Sequence, residues 1–192
     1  MPLTSLTQRQ TTVQASGFTN QDAEALALGA IKLQASQLGL TNPSTQLMKK
    51  KVETDDLGVA HVEYRQVIKQ VPVFGSQLTV HLNPTRDSAL INGRVSQRTL
   101  DDVRPKISSA DALGYAEAEW RREYSTEAIL KGTPALFVLD TGLLEDLNSG
   151  NMYLAYQVDL GVNREAFRYF IDATSGKVVY KIPLSTGAKK RL

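Results

Sequence analysis

The chain has 192 residues, 42% of them hydrophobic and 22% charged, which is long enough for one large or two small globular domains and for a core that needs no covalent staple. It contains no cysteine, which excludes a disulfide framework and thiolate zinc sites. A net charge of +2 with a pI near 8.8 excludes a field strong enough to recruit nucleic acid, and no apolar run approaches the ~20 residues that span a bilayer.

Residues 1–18 are rich in Thr, Gln and Ser and read as a lead-in. They lack the basic start and apolar stretch of a signal peptide, so a secreted or periplasmic location requires that the leader is no longer present in this chain. Thr19 or Asn20 then caps a helix with Asp22 and Glu24 in its first turn. Leu28, Ile31, Ala35 and Leu38 make one apolar face of that helix, and Gly39 is its expected stop.

Strands follow. Leu47–Thr54 is the first, 55–58 a turn, and 59–70 a long alternating strand rich in Val, Tyr and Ile. Val71-Pro72-Val73-Phe74-Gly75 reads as a corner, because Pro72 cannot donate to a ladder and Gly75 permits a positive φ. Residues 77–83 form another strand, 83–87 a turn, and Asn92-Gly93 within 90–95 reads as a tight hairpin.

The polar stretch Asp101–Pro105 is the best domain boundary. Beyond it, Ser108 or Ser109 caps a second helix with Leu113, Ala116 and Trp120 on one face, Trp120 being expected in the core. Strands at 134–140, 154–160 and 167–172, a turn at 173–176 and a strand at 177–180 complete the pattern. Residues 182–192 read as a tail.

Each half is thus a helix followed by an antiparallel meander. This is an α+β organisation of two small units, 19–100 and 101–181, each a sheet packed against a helix.

The first half resembles the propeptide domain that precedes fungalysin-like and thermolysin-like zinc proteases, abbreviated FTP. The residues that carry the resemblance are Leu57-Gly58, His61, Tyr64 with Gln66, the corner Pro72-Val73-Phe74-Gly75, Val80-His81 and Gly93. The second half resembles a PepSY domain through the helix start 107–113, the strand 154–158 and the closing hairpin with Asp172 and Gly176. FTP followed by PepSY is the layout of thermolysin-family propeptides. No His-Glu-x-x-His occurs, so the zinc ligands and base of that protease class are absent from this sequence.

The resemblance implies a non-catalytic propeptide, an intramolecular chaperone and inhibitor of a secreted thermolysin-like zinc metalloprotease, whose catalytic domain is the partner. The alternative it leaves open is a stand-alone extracellular binding module or inhibitor of the same fold. No cofactor and no metal is expected.

The remaining chemistry is sparse. His61 and Glu63 share a strand face, but without a third ligand His61 and His81 are expected to bond to backbone or to a neighbouring side chain. Asp159 and Asp172 could form a paired-acid site only if they converged, and Asp172 beside Thr-Ser-Gly reads as a turn residue. No Ser lies in a Gly-x-Ser-x-Gly elbow. For the protease contact the sequence offers the tail residues Ile182, Pro183, Leu184, Arg191 and Leu192, together with Tyr64 and Arg65 on the strand faces. Phe74 is placed either there or in the core.

Overall fold

The structure is a computed structural model and describes residues 18–184 except 148. The lead-in before Phe18 and the tail residues Arg191 and Leu192 lie outside that range.

Helix α1 (Asn20–Leu33) begins at an extended Thr19, whose Oγ1 accepts from the Asp22 amide at 3.1 Å. Its buried stripe is Ala23, Ala27 and Ile31, and the two alanines let the helix axis lie close to the sheet. Leu28 is only half-buried. The helix ends at Leu33, before Gly39; Ala35 and Leu38 pack on the core from the turns that follow. A single turn, α2 (Pro43–Gln46), leads into β1.

The first sheet has the order β1 (Leu47–Thr54), β2 (Ala60–Ile68), β4 (Gln77–Leu82), β5 (Ala89–Arg94), with β3 (Val71–Pro72) pairing to the end of β2. Strict alternation along β2 buries Ala60, Val62 and Tyr64 against α1, where Leu78, Val80 and Leu82 of β4 join them. The opposite face, carrying His61, Glu63, Arg65, Thr79 and His81, is open.

The Asn92-Gly93 hairpin is corrected: residues 89–94 are one strand. The β4–β5 turn lies at 83–88, where Asn83 Oδ1 accepts from the Asp87 and Ser88 amides at 3.1 and 3.2 Å. Gly93 has φ +121° because the strands approach so closely that a Cβ would stand 2.1 Å from the Gln77 carbonyl oxygen.

Helix α3 (Ser109–Tyr124) starts with a capping box. The Asp111 amide donates to Ser108 Oγ at 3.1 Å, and the Ser108 amide donates to Asp111 Oδ2 at 2.9 Å. Ser108→Ala should cost about 1 kcal/mol. That would be read as a lower urea midpoint with unchanged slope, and an unchanged midpoint would deny the cap any role.

Ala112, Ala116 and Trp120 of α3 pack on the second sheet. Its order is β10 (Val178–Pro183), β9 (Glu165–Asp172), β8 (Met152–Val162), with β6 (Ile129–Leu130) and β7 (Ala135–Asp140) both pairing to β8. A short α4 (Thr141–Glu145) follows β7. Trp120 is fully buried, as expected, stacked near Tyr124 at 4.5 Å. Both halves are therefore antiparallel sheets carrying a helix on one face, the α+β arrangement that the sequence pattern implies.

Candidate functional site: the joint and the open face

The most distinctive sequence segment lies where the two sheets meet. Lys69 and Gln70 both have positive φ, 49° and 71°, and reverse the chain so tightly that β3 folds back on β2. The chain then crosses to the second sheet. Val73 forms a parallel bridge with Val138, and the Phe74 amide donates to the Val138 carbonyl at 2.9 Å. The Phe74 ring meets Phe170 at 4.7 Å and Phe137 at 5.6 Å, with the Arg168 guanidinium 5.5 Å from its centroid. Gly75 is held at φ +75° with Leu144 so close that a Cβ would lie 2.8 Å from it. Pro72, Phe74 and Gly75 thus dock one sheet on the other.

A buried polar network lies behind them. The Gln66 side chain is fully enclosed, donating to the Ser96 carbonyl and accepting from the Ser96 amide, both at 2.8 Å. Ser96 Oγ donates to Asp140 Oδ2 at 2.5 Å, and Asp140 is ion-paired with Arg98 while capping α4 through the Leu143 amide at 3.2 Å. Asp140 is 2% exposed, so every lone pair it carries must find a donor here. Residues of both sheets and of the connection between them supply this network.

On the open face of the first sheet, His61 and His81 are cross-strand partners with their Nδ1 atoms 2.7 Å apart. Asp55 Oδ2 lies 3.1 Å from His61 Nε2, and this contact with the imidazole, aided by the Val59 and Leu57 amides, holds the Asp55 carboxyl below its ordinary range. Among the described residues, no group of three or more His, Cys, Asp or Glu comes together to hold a metal ion. Beside His81, a shallow depression of about 560 Å³ runs between Gln77, Thr79, Asn92 and Arg94.

The proposed contact residues fare unequally. Tyr64 faces α1, is 3% exposed and reaches the Glu24 carbonyl at 3.3 Å; burial pushes its hydroxyl up to about 12. This removes it from any contact surface. Arg65 stays half-exposed on the open face. Ile182 and Pro183 are not tail but the end of β10, paired with Arg168 and Phe167, and the Leu184 amide still donates to the Ala166 carbonyl at 2.7 Å. Lys181 anchors this strand. Its Nζ lies 4.0 Å from the Phe167 ring centroid, 5.1 Å from Tyr169 and 5.4 Å from Tyr124, and it pairs with Glu123.

The carboxylates do not converge. Asp159 is held by Arg168 through two bonds of 2.8 and 2.7 Å, and Asp172 accepts from the Thr174 and Ser175 amides at 2.8 and 2.6 Å. Gly58 and Gly176 occupy the turns expected of them, at positive φ. Sequence reading did not find Ser96, Arg98 and Asp140, which carry no local motif.

The Fungalysin/Thermolysin Propeptide Motif family matches residues 45–94, the span of the first sheet from the end of α2 to the end of β5. The chain is 31% identical over 147 residues to Bacillolysin of Bacillus amyloliquefaciens, covering 73% of this chain and 27% of that protein. It is 32% identical over 77 residues to Bacillolysin of Bacillus subtilis (strain 168), covering 39% of this chain and 15% of that protein. The chain thus spans about a quarter or less of the length of these relatives. Among solved structures, the YpeB C-terminal domain of Bacillus megaterium aligns with 88% of this chain and 67% of its own, at a TM-score of 0.38 and 14% identity.

Proposed function

Since the chain carries the fungalysin/thermolysin propeptide motif across its whole first sheet, we propose that it is a propeptide that folds and restrains a secreted thermolysin-like zinc metalloprotease without itself catalysing a reaction. The coincidence of the matched segment with one complete sheet and its docking corner carries this reading.

The mechanism follows from binding. A domain complementary to the native protease surface lowers the free energy of the folded protease by mass action. Where it also fits the late folding transition state, it lowers the barrier. The same complementarity makes it an inhibitor once folding is complete. A standard interface buries ~1,600 Å², more than a short tail provides, so the open face with Glu63 and Arg65 is assigned the area. The residues after Leu184 are assigned the substrate cleft. Lys181 and its aromatic surround would then fix the point from which that segment departs.

Titrating the purified chain into a thermolysin-like protease should give inhibition that is absent with chymotrypsin. Removing residues 185–192 spares β10 and should weaken inhibition by about tenfold or more, a loss of ~1.4 kcal/mol of binding. Undiminished inhibition by the shortened chain would reject the tail assignment. No inhibition by the full chain, together with no acceleration of protease refolding, would reject the propeptide role.

A further inference from the structure

We propose that His61 and His81 form an acid-operated clasp across β2 and β4. The hydrogen-bond logic of the site fixes where the protons are. Asp55 Oδ2, 3.1 Å from His61 Nε2, can only accept, so that nitrogen carries the hydrogen. In a neutral ring His61 Nδ1 is then a lone pair, and the nitrogen 2.7 Å from it, His81 Nδ1, must donate. His81 Nε2 is left as an acceptor, and Asn92 Nδ2 stands 3.3 Å away to supply it. One directional chain of bonds therefore runs from β5 through β4 and β2 to the β1–β2 turn. The rings meet nearly edge to face, centroids 4.8 Å apart at 81°.

Proton counting shows what acid does. One added proton keeps the central bond: His61 Nδ1 becomes the donor, His81 shifts its hydrogen to Nε2, and the Asn92 amide turns its oxygen toward it. A second added proton puts N–H against N–H at 2.7 Å, and the clasp must open. The charged groups near the pair lie mostly on the His61 side. Glu53 of β1 is the register partner of His61, Asp55 touches it, and Glu63 lies two residues along the same face. Lys51 is engaged by Glu53. On the far side, His81 is paired with the uncharged Leu90, and Arg94 lies farther along β5 toward Gln77.

The folded clasp thus takes up one proton where the unfolded chain takes up two. Stability falls as the pH is lowered wherever the unfolded state binds more protons, and a one-proton difference multiplies the unfolding constant by up to about tenfold for each unit of acidification. The clasp stands whether or not the propeptide role does.

The test compares urea unfolding of the full chain and of His81→Asn between about pH 7.5 and pH 5, the span in which imidazoles titrate. Asparagine can still donate to His61 but does not titrate. As the pH falls through the lower half of that span, where the unfolded chain binds its second imidazole proton, the wild-type unfolding constant should rise severalfold per pH unit, and the variant should lose at least half of this slope. Superimposable slopes would overturn the proposal. Nitrogen NMR of the wild-type imidazoles gives a second reading, valid even if the variant does not fold. It should show a hydrogen on His61 Nε2 and on His81 Nδ1 at neutral pH. Two fully protonated rings with the β2–β4 amide pattern unchanged at the acid end would overturn it equally.

Discussion

Asp140→Ala should destabilise the chain by about 3–5 kcal/mol, because it strips the counter-ion from a partly enclosed guanidinium and the acceptor from a buried hydroxyl. The carboxylate is ion-paired with Arg98, receives Ser96 Oγ at 2.5 Å and caps α4. Its loss also reaches Gln66, whose amide is bonded to the Ser96 backbone at both ends. Asp140→Asn keeps one acceptor oxygen for the α4 cap, while its amide nitrogen can donate to Ser96 Oγ, and should recover part of the loss. Equilibrium denaturation with both variants makes the comparison. A cost below about 1 kcal/mol for the alanine variant would mean that the network is incidental to the joint.

Gly93→Ala is the second large effect. The added methyl would stand 2.1 Å from a backbone oxygen in the neighbouring strand, and the residue would also be held at φ +121°. Neither problem has a local remedy, since the obstacle is main chain. Strain and overpacking together should cost roughly 3 kcal/mol or more. The damage should appear first as faster amide exchange along β4 and β5, whose six register pairs run from Gln77↔Arg94 to Leu82↔Ala89. Wild-type exchange rates in those strands would contradict the close-approach explanation of this glycine.

Much of the fold is legible from local signals. The alternation along β2 specifies which residues meet α1, and Ser108 with Asp111 specifies where α3 begins. Failures occur where one signal has two meanings. Asn-Gly reads as a hairpin, yet Asn83 and its partners had already turned the chain, leaving Gly93 to serve a contact between strands. Conversely, Lys69-Gln70 makes a sharp reversal without any of the residues that normally announce one. The tail begins later than the sequence pattern implies because Ile182 and Pro183 have no alternation of their own; their place is set by Arg168 and Phe167 on β9.

The site divides the same way. The corner Pro72–Gly75 is visible in sequence, but its purpose is not, because the surfaces it meets, Phe137, Phe170 and Leu144, come from far along the chain. The Ser96–Asp140 bond joins residues 44 apart and has no periodicity to betray it. His61 and His81 look like isolated imidazoles until the register of β2 on β4 sets them side by side.

The position of Trp120 has a practical consequence for anyone observing this molecule in solution. It is the sole indole of the chain and lies wholly within the packing between α3 and the second sheet, beside Tyr124 and Phe167. Its fluorescence is therefore a gauge of that half alone. A melting curve followed by light emission records the fate of one sheet, and the other needs its own reporter, for which the paired imidazole resonances are already in place.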